Sequence, residues 1–329
     1  MNLFYKITKR IIPRSILNII AIKIDKHNNV QIAFNRFENE IIKDWYLYCV
    51  QLITTHAKIS SQRFNIIFGD HDVNFNNNNR TFRVILQFEH TLVKEGGRDS
   101  MNAITGTIPI DSSENFYLTR LVDKEKLEAS DIIIDYSRAN LINVKKSNYN
   151  FTLSHKYFYI TPLLYQEKSN QASTRSLDCI TMFGDPKSGR RKKFIDSFVG
   201  GLAIVNKRGV YRNVWKLDQQ VKILINIHQT DHHCTAEELR IIPAAINGAV
   251  VLSEKSPLLN SSYTKDFAIW GTLDELPKKA DEILQNYDDF RRRHFNKKFQ
   301  RRLNRLKVYN DLVAIKIIRI LENRVLQCI

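Results

Sequence analysis

The chain has 329 residues, which exceeds the roughly 100–200 residues of a typical single domain and predicts two domains with separate cores. Its 43% hydrophobic and 26% charged residues are typical of a folded globular protein and exclude a disordered or fibrous one. The 50 Lys and Arg outnumber the 34 Asp and Glu, and the net charge of +16 favours an anionic partner: a phosphate-rich ligand, nucleic acid or a membrane surface.

The N-terminal segment mixes apolar and basic side chains. Arg14 and Lys23 interrupt the apolar run that a signal peptide needs, so we expect the segment to be retained. Phe4, Ile7 and Ile11 share one helical face, which fits either a membrane-surface helix or a helix packed on its own domain. No apolar run reaches the about 18 residues of a transmembrane helix. Together with four scattered cysteines, this predicts a cytoplasmic protein with a peripheral contact to the inner membrane face as an option.

Residues 30–162 alternate between short apolar runs and helical periodicity. The apolar runs predict strands at Val30–Phe34, Phe64–Phe68, Arg83–Phe88, Asp131–Asp135 and Tyr157–Thr161. The periodic segments predict helices at Glu38–Thr55, Tyr117–Glu128 and Asn140–Val144. Short buried strands between helices favour a parallel sheet with helices on its faces.

The polar segment 163–177 is typical of a linker, and the same rhythm restarts after it. The pattern predicts strands at Asp178–Phe183, Leu202–Val205, Lys222–Ile227, Ala249–Ser253 and Phe267–Trp270, with helices at Arg190–Phe198 and Ala236–Ile246. From Leu276 onward the pattern is helical. One late apolar face needs a partner surface and comprises Ala314, Ile317, Ile318, Leu321 and Val325.

The segment 178–198 has the pattern of a phosphate site. A strand ends near Gly184, and a helix then opens with Arg190 and Arg191 after Gly189. Glycines allow close backbone approach, a helix N-terminus offers unbonded N–H groups, and arginines bind phosphate oxygens in pairs. The alternative is a solvated basic start of a helix.

The segment 222–257 carries polar residues at predicted strand ends. His228, Ser253 and Glu254 follow or close buried strands, and ligands of open α/β sheets bind at the carboxyl ends of strands. Thr235 and Glu238 have the spacing of a capping box, which makes Glu238 structural. The neighbouring histidines and Cys234 match no usual zinc spacing, so we predict no metal site.

These two segments resemble the donor half of the GT-B glycosyltransferases, and the resemblance spans roughly residues 80–290. It implies a nucleotide-sugar substrate, no cofactor, and a nucleotide and diphosphate site made of Gly184, Arg190, Arg191, His228, Arg240 and Glu254. One departure stands out. Many such enzymes carry two glutamates seven residues apart, whereas Ala245 and Ile246 follow Glu237 and Glu238 at about that distance.

The resemblance predicts an α/β fold of two Rossmann-like domains facing each other across a cleft, with a helical C-terminal extension. The expected boundaries are residues 1–165 for an acceptor-side domain that includes the basic amphipathic N-terminal segment, 166–290 for the nucleotide-donor domain, and 291–329 for the basic extension.

The segment 82–100 supplies candidate catalytic residues. Glu89 and His90 end a predicted strand, and an inverting sugar transfer needs a base to take the acceptor hydroxyl proton. Lys94, Gly97 and Arg98 form the adjoining acceptor-side loop. The alternative is that Glu89 and His90 are a hydrogen-bonded pair that shapes this loop.

A second strand end lies at residues 135–140. Here Tyr136, Ser137 and Asn140 either line the acceptor side or, in the case of Ser137, cap the next helix.

The basic block 291–307 fits RNA or anionic lipid, and we favour lipid headgroups because glycan acceptors are often lipid-linked and no RNA-recognition motif is present. We therefore expect a glycosyltransferase that moves a sugar from a nucleotide-diphosphate donor to a glycan or lipid-linked acceptor in surface polysaccharide or lipopolysaccharide assembly. The alternatives are a non-catalytic basic scaffold that binds nucleic acid or anionic membrane, and a phosphopolyol transferase.

Overall fold

The computed structural model describes residues 22–35, 42–97, 100–110, 114–166, 174–182, 189–198, 204–206, 214–232 and 235–327. Several predictions concern residues outside these ranges: the amphipathic face of Phe4, Ile7 and Ile11, the phosphate-loop Gly184, and Arg98 of the acceptor-side loop. They stay predictions.

The described elements alternate between strands and helices along most of the chain. The strands are β1 (Ile22–His27), β2 (Val30–Asn35), β3 (Phe64–Phe68), β4 (Thr81–Gln87), β5 (Leu92–Val93), β6 (Ile104–Pro109), β7 (Phe116–Thr119), β8 (Ile132–Asp135), β9 (Tyr157–Tyr159), β10 (Leu177–Thr181), β11 (Ile204–Asn206), β12 (Val221–Asn226), β13 (Val250–Glu254) and β14 (Ile269–Gly271). The α-helices are α1 (Lys43–Ala57), α2 (Lys124–Ala129), α3 (Arg138–Lys146), α4 (Asn150–Leu153), α5 (Arg190–Ser197), α6 (Val214–Asp218), α7 (Glu238–Ile246), α8 (Glu275–Gln285), α9 (Tyr287–His294) and α10 (Lys297–Leu326).

The described strands form two largely parallel sheets and a small antiparallel one. The first sheet has the order β1-β2-β3-β4-β8-β9, in which only β1 runs antiparallel to its neighbour. The second sheet, β11-β10-β12-β13-β14, is parallel throughout. Strands β5, β7 and β6 form the third sheet. The chain is therefore a mixed α/β protein, as the apolar runs predicted.

The parallel strands are buried because they are built from consecutive apolar residues. All five residues of β3 and all four of β8 are buried, which is the pattern of a strand covered on both faces. Helix α1 packs on the first sheet through Trp45, Cys49 and Ile53. Cys179 is a buried free thiol in the second sheet, as expected for a small apolar filler.

Helix α10 packs against the cores of both large sheets. Its first turns bury Phe299, Leu303 and Leu306 in the core of the second sheet. Its later turns bury Ala314, Ile317, Ile318 and Leu321 against α1 and the first sheet, with Val325 partly buried beside them. The predicted apolar face therefore has its partner surface. No described helix is both long and apolar enough to cross a membrane.

One sequence prediction of secondary structure is wrong. The predicted helix Tyr117–Glu128 is split, because Phe116–Thr119 forms β7 and only Lys124–Ala129 is helical. Tyr117 and Thr119 point into the protein while Phe116 is exposed, which is the two-residue period of a strand.

The linker expected at residues 163–177 stays a prediction. Of its described residues, Leu163, Leu164 and Arg175 are buried.

Candidate functional site

A cavity of about 1040 Å³ lies where strands of both large sheets end. Phe88, Glu89 and His90 follow β4, Tyr136 follows β8, and Met182 follows β10. The second sheet also contributes residues from the loop after β12 and from α7. Polar residues that line the cavity include Glu89, His90, Thr230, His232, Glu237 and Arg240. Ligands of open α/β sheets bind at this edge because the loops and helix N-termini there are free to vary.

The cavity brings together a histidine and a glutamate that are far apart in sequence. His90 Nε2 lies 3.0 Å from Glu237 Oε1, and only 14% and 17% of the two side chains are exposed. Burial lowers the pKa of His90, but the charge of Glu237 and its hydrogen bond outweigh burial, and the pKa is raised above its usual value. The pair thus holds the imidazole in one orientation and stabilises the positive charge that the ring gains when it takes up a proton.

Glu237 is held ionised by the cations around it. Burial raises its pKa, but Arg240, the His90 charge and hydrogen bond, and Arg191 together lower it well below its usual range. Arg240 also lines the cavity. One wall of the cavity is therefore polar and carries the Glu237 carboxylate beside Arg240 and His90.

A buried polar network fixes the loop that carries His90. Asn140 Nδ2 donates to the Glu89 carbonyl at 3.0 Å, and Asn140 Oδ1 accepts from the Thr91 backbone N–H at 3.1 Å. Asp135 accepts in turn from Asn140 and, at 2.5 Å, from the Tyr157 hydroxyl. Burial raises the pKa of Asp135 to about 8. The network sets the loop position through backbone atoms on both sides of His90.

The predicted roles of residues 136–140 are divided. Tyr136 lines the cavity, Ser137 caps α3 by accepting from the Asn140 N–H at 3.3 Å, and Asn140 is fully buried in the network. The capping role predicted for Ser137 is confirmed.

The residue after Glu237 has a different environment. Glu238 is fully buried and accepts hydrogen bonds from the Arg138 backbone N–H (3.1 Å), the Tyr159 hydroxyl (2.7 Å) and the Ser262 hydroxyl (3.1 Å). Burial raises its pKa to about 7. The predicted capping box is wrong, because α7 has no side-chain cap and Glu238 binds donors from other elements. The predicted structural role of Glu238 agrees with these contacts.

The predicted diphosphate arginines form a network of their own at the ends of β12 and β13. Arg190 binds both carboxylate oxygens of Glu254, at 2.7 and 2.5 Å, and Asp231 at 2.7 Å. Arg191 donates to the carbonyls of Ile227 (3.1 Å) and His228 (3.3 Å). The hydrogen bond that Arg190 donates to Glu254 raises the pKa of Arg190, so this charge is already balanced by carboxylates.

His228 and Ser253 are buried parts of the same edge. The His228 N–H donates to Glu254 at 3.0 Å, and its ring Nε2 lies 3.0 Å from the Ser256 hydroxyl. Burial lowers the pKa of His228 to about 4, so the ring is neutral at neutral pH. Ser253 is fully buried and accepts from Asn226 at 3.0 Å. Neither residue lines the cavity, nor do Arg190, Arg191 and Glu254.

The acceptor-side loop touches the loop after β12. The Lys94 N–H donates to the His232 carbonyl at 2.9 Å, and His232 Nδ1 lies 2.9 Å from the Glu95 carbonyl. A side chain at Gly97 would approach the His232 ring to 2.7 Å, so only glycine fits there without displacement. Gly97 lines the cavity, whereas Lys94 does not.

In the described ranges, no three His, Cys, Asp or Glu side chains are grouped so that they could hold a metal ion. His233 and Cys234 lie outside those ranges.

Comparisons with known proteins give distant similarities. No model of a known protein family matches the chain. A stretch of 90 residues, 26% of this chain, is 36% identical to the uncharacterized protein R358 of Acanthamoeba polyphaga mimivirus, and it spans 31% of the length of that protein.

Two solved structures are distantly similar to this chain. TarM has a TM-score of 0.39 and 12% identity, over 86% of this chain and 55% of TarM. The DNA modifying enzyme beta-glucosyltransferase, solved with and without uridine diphosphoglucose, has a TM-score of 0.43 and 12% identity, over 90% of this chain and 95% of that enzyme. Similarity at this level assigns no activity.

Sequence reasoning found His90 and Arg240 but missed Glu237 as the partner of His90. The two residues are 147 positions apart, and the spacing of Thr235 and Glu238 drew attention to the neighbouring carboxylate instead. The sequence did contain a signal for the pair. His90 follows a predicted strand, and Glu237 lies in the first turn of a predicted helix, so both were expected at the carboxyl edge of a sheet.

Proposed function

We propose that the chain is a glycosyltransferase that moves a sugar from a nucleotide-diphosphate donor to a hydroxyl acceptor. The observation that carries the proposal is the cavity at the carboxyl ends of both parallel sheets, bordered by the His90–Glu237 pair and Arg240. Its volume of about 1040 Å³ suits a ligand as large as a nucleotide sugar. In this proposal, the two large sheets are the cores of two domains, with the acceptor bound on the side of the first and the donor on the side of the second.

His90 is the proposed base for the acceptor hydroxyl. Glu237 accepts from Nε2–H of the neutral ring, so the proton would be taken on Nδ1, which is buried in this conformation and must be uncovered for the acceptor. The imidazolium that forms is stabilised by the adjacent carboxylate. Glu89 also lines the cavity, but 41% of its side chain is exposed and its nearest cation is Arg120 at 3.7 Å. We therefore assign the base to His90 and a substrate contact to Glu89.

Arg240 is the proposed contact for the departing diphosphate. Arg240 lies on α7, between β12 and β13 in the chain, and it lines the cavity. A guanidinium binds phosphate oxygens in a bidentate manner. Arg190, Arg191 and Glu254 do not line the cavity, so we propose that they position the donor wall from behind rather than contact the donor directly. Their network joins the loop after β12 to β13 and so holds the donor wall in shape.

The finer assignments form part of the same proposal. They are a glycan or lipid-linked acceptor in surface polysaccharide assembly, a cytoplasmic location, and a reaction that needs no metal. Exposed cations along α10, among them Lys297, Lys298 and Arg301, support a peripheral contact with an anionic membrane.

Release of nucleoside diphosphate from UDP-, GDP-, CDP- and ADP-sugars tests the proposal, with and without sugar acceptors. We expect turnover of one donor class by the full chain and its loss in Arg240→Ala. Exchange of Lys278, an exposed cation of α8, to Ala is the matched control and should leave turnover unchanged. Absence of release with all four donor classes would contradict the transferase.

A further inference from the structure

The opposite edge of the second sheet carries a second group of cations. Arg175 lies just before β10, and its Nη1 donates to the carbonyls of Asp218 and Val221, both at 2.5 Å. Its Nη2 donates to the Asn247 carbonyl at 2.6 Å. These carbonyls precede or begin β12 and β13, so Arg175 marks the amino edge of the sheet, away from the large cavity.

A second guanidinium lies beside Arg175 on the first turns of α9. A Cβ built on Gly248 would be 2.7 Å from Arg175 Nη2 and 3.4 Å from Arg291 Nη2, so the two nitrogens are within about 6 Å of each other. Only 9% of Arg175 is exposed. Its burial and the like charge of Arg291 both lower its pKa. Two such cations side by side are costly unless an anion joins them.

No carboxylate among the described residues forms an ion pair with either arginine. Asp178 is 2.7 Å from Lys222, and Asp289 is 2.7 Å from Arg292. The carboxyl oxygens of Asp218 are buried without a hydrogen bond or an ion pair to Arg175, and burial raises the pKa of Asp218 well above its usual range although the charge of Arg175 lowers it. Asp288 is exposed at the rim.

Three buried donors at this edge have no acceptor in the described part of the chain. They are Arg175 Nε, Arg291 Nε and the Tyr287 hydroxyl. Buried polar groups are nearly always hydrogen-bonded, so three orphan donors around two unneutralised guanidinium groups indicate a missing acceptor. A cavity of about 500 Å³ is bordered by Arg175, Lys222, Tyr287 and Arg291.

We propose that this cavity, the amino-edge site, binds a phosphate group through Arg291, Arg175 and Tyr287. A phosphate offers several strong acceptor oxygens and about two negative charges, which matches two guanidinium groups and a hydroxyl. The site is separate from the proposed donor cavity, because the two lie at opposite edges of the second sheet. The inference is independent of the transferase proposal.

The phosphate group has two plausible sources. The amino-edge site adjoins a cavity of about 560 Å³ that shares Arg291 and adds Arg292 and Lys307. Beyond it lie exposed cations of α10. A free phosphate ester and the headgroup of an anionic phospholipid therefore present the same chemistry to Arg291.

Calorimetric titration of the full chain with inorganic phosphate and pyrophosphate, at constant ionic strength, tests the site. We expect saturable binding that Arg291→Gln weakens about tenfold or more, the effect of removing one charge-assisted hydrogen-bond partner. Arg293→Gln is the matched control, since Arg293 is an exposed cation of the same helix, and it should leave affinity unchanged.

Binding that is absent, or that is weakened equally by both substitutions, would overturn the proposal. Arg291→Lys serves as a second variant if Arg291→Gln melts early, and it should retain partial affinity because it keeps the charge without the bidentate geometry. Arg240→Gln removes the proposed diphosphate contact of the large cavity, and it should still show the phosphate site that Arg291→Gln weakens. Loss of binding there would place the anion in the large cavity and reject the amino-edge site.

Flotation with vesicles of phosphatidylglycerol or of phosphatidylcholine separates the two sources. If the site serves a lipid headgroup, the chain floats with phosphatidylglycerol only, and Arg291→Gln abolishes flotation while Arg293→Gln retains most of it. If it serves a free phosphate ester, phosphate binds as expected and neither variant alters flotation. Both results support the site and differ only in its source.

Discussion

Glu237 and Glu238 are neighbours at the start of α7, yet their pKa values are shifted in opposite directions and their contacts differ. Glu237 borders the cavity, pairs with His90 at 3.0 Å and is ionised by the surrounding cations. Glu238 is closed off from solvent, is bonded by three neutral donors and has a pKa raised to about 7. Residue type alone therefore does not reveal which carboxylate takes part in chemistry. The number of charged partners and the access to a cavity distinguish them.

Both glutamates, at the start of α7, contact residues in or next to the first sheet, so each contact joins α7 to that part of the molecule. Glu238 ties α7 to Arg138 and Tyr159, and Glu237 presents its charge to His90 a few ångströms away. If this is correct, changes around Glu237 alter turnover with little effect on stability, and changes at Glu238 do the reverse.

The largest expected effect is on turnover, in His90→Ala. Loss of a general base lowers the rate by about 10²–10⁴-fold. The melting temperature should change little, because Glu237 keeps Arg240 as a cationic neighbour. Steady-state assays of nucleoside diphosphate release measure the effect, with His56→Ala on α1 as a control for loss of a histidine that pairs with a carboxylate elsewhere. Normal turnover in His90→Ala would remove His90 from the mechanism.

Glu238→Ala should give the largest loss of stability. It leaves the Tyr159 and Ser262 hydroxyls and the Arg138 N–H without their acceptor, each costing about 1–3 kcal/mol when buried, and we expect a net loss of about 3 kcal/mol. Urea unfolding monitored by circular dichroism measures it. A change in the free energy of unfolding below about 0.5 kcal/mol, the usual range of surface substitutions, would show that the surroundings of Glu238 are not closed off from solvent.

The pH dependence of Glu238 sharpens this prediction. Its pKa is raised from 4.5 to about 7 in the folded chain, so the neutral carboxyl stabilises the fold fully below about pH 4.5. That contribution is lost as pH rises through 7. Glu238→Gln, which is neutral at every pH, should therefore fall furthest behind the natural chain at low pH and recover relative to it as pH rises from 4.5 to 7.

Glu237→Gln should have an intermediate effect on turnover. Removal of a charge-assisted hydrogen bond costs about 1.5–3 kcal/mol, equivalent to roughly a tenfold to hundredfold loss of rate. Because Glu237 raises the pKa of His90, the substitution should also move the acidic limb of the pH–rate profile to lower pH. A limb that stays in place, or moves to higher pH, would show that the limb does not report His90.

The stability contribution of the same pair has a defined pH window. The raised pKa of His90 gives stabilisation that is lost as pH rises through it, and the lowered pKa of Glu237 gives stabilisation that is lost only at strongly acidic pH. The difference in melting temperature between Glu237→Gln and the natural chain should therefore shrink above neutral pH.

The smallest effect is expected from Gly97→Ala. The new methyl group would meet the His232 ring at 2.7 Å and its Cβ at 2.8 Å, so the loop that carries His232 and the exposed Asp231 must shift to make room. We expect less than about a threefold rise in KM with unchanged kcat, equivalent to under about 1 kcal/mol. A large fall in kcat would show that the contact between the two loops controls the chemical step.

Much of the fold could be predicted from the sequence because its parallel strands are continuous apolar runs. Phe64–Phe68 and Ile132–Asp135 are buried on both faces, and no helical period competes with them. The error at Tyr117 has the opposite cause, since a short alternating strand runs into a real helix at Lys124 and the two periods merge. The edge strand β1 was missed because its apolar and charged residues alternate.

The site was harder to predict because its contacts are long-range. Glu89 and His90 could be placed at a strand end, but the Asn140 network that holds their loop depends on packing of α3. The pairing of Arg190 with Glu254 joins the start of α5 to the end of β13, 64 residues away along the chain, which no local pattern encodes. Local rules thus predict the edge on which the site lies, and tertiary packing decides the partners.

The most direct measurement is thermal stabilisation of the full chain by UDP, GDP, CDP and ADP, compared with Arg240→Gln and Arg190→Ala/Arg191→Ala. A ligand at 100 times its Kd stabilises the folded state by about 2.7 kcal/mol, which raises the melting temperature by roughly 5 °C for a chain of this size. We predict that one nucleoside diphosphate gives this shift and that Arg240→Gln removes most of it. No shift with any of the four, or an equal shift in every variant, would contradict a nucleotide-diphosphate site in the cavity.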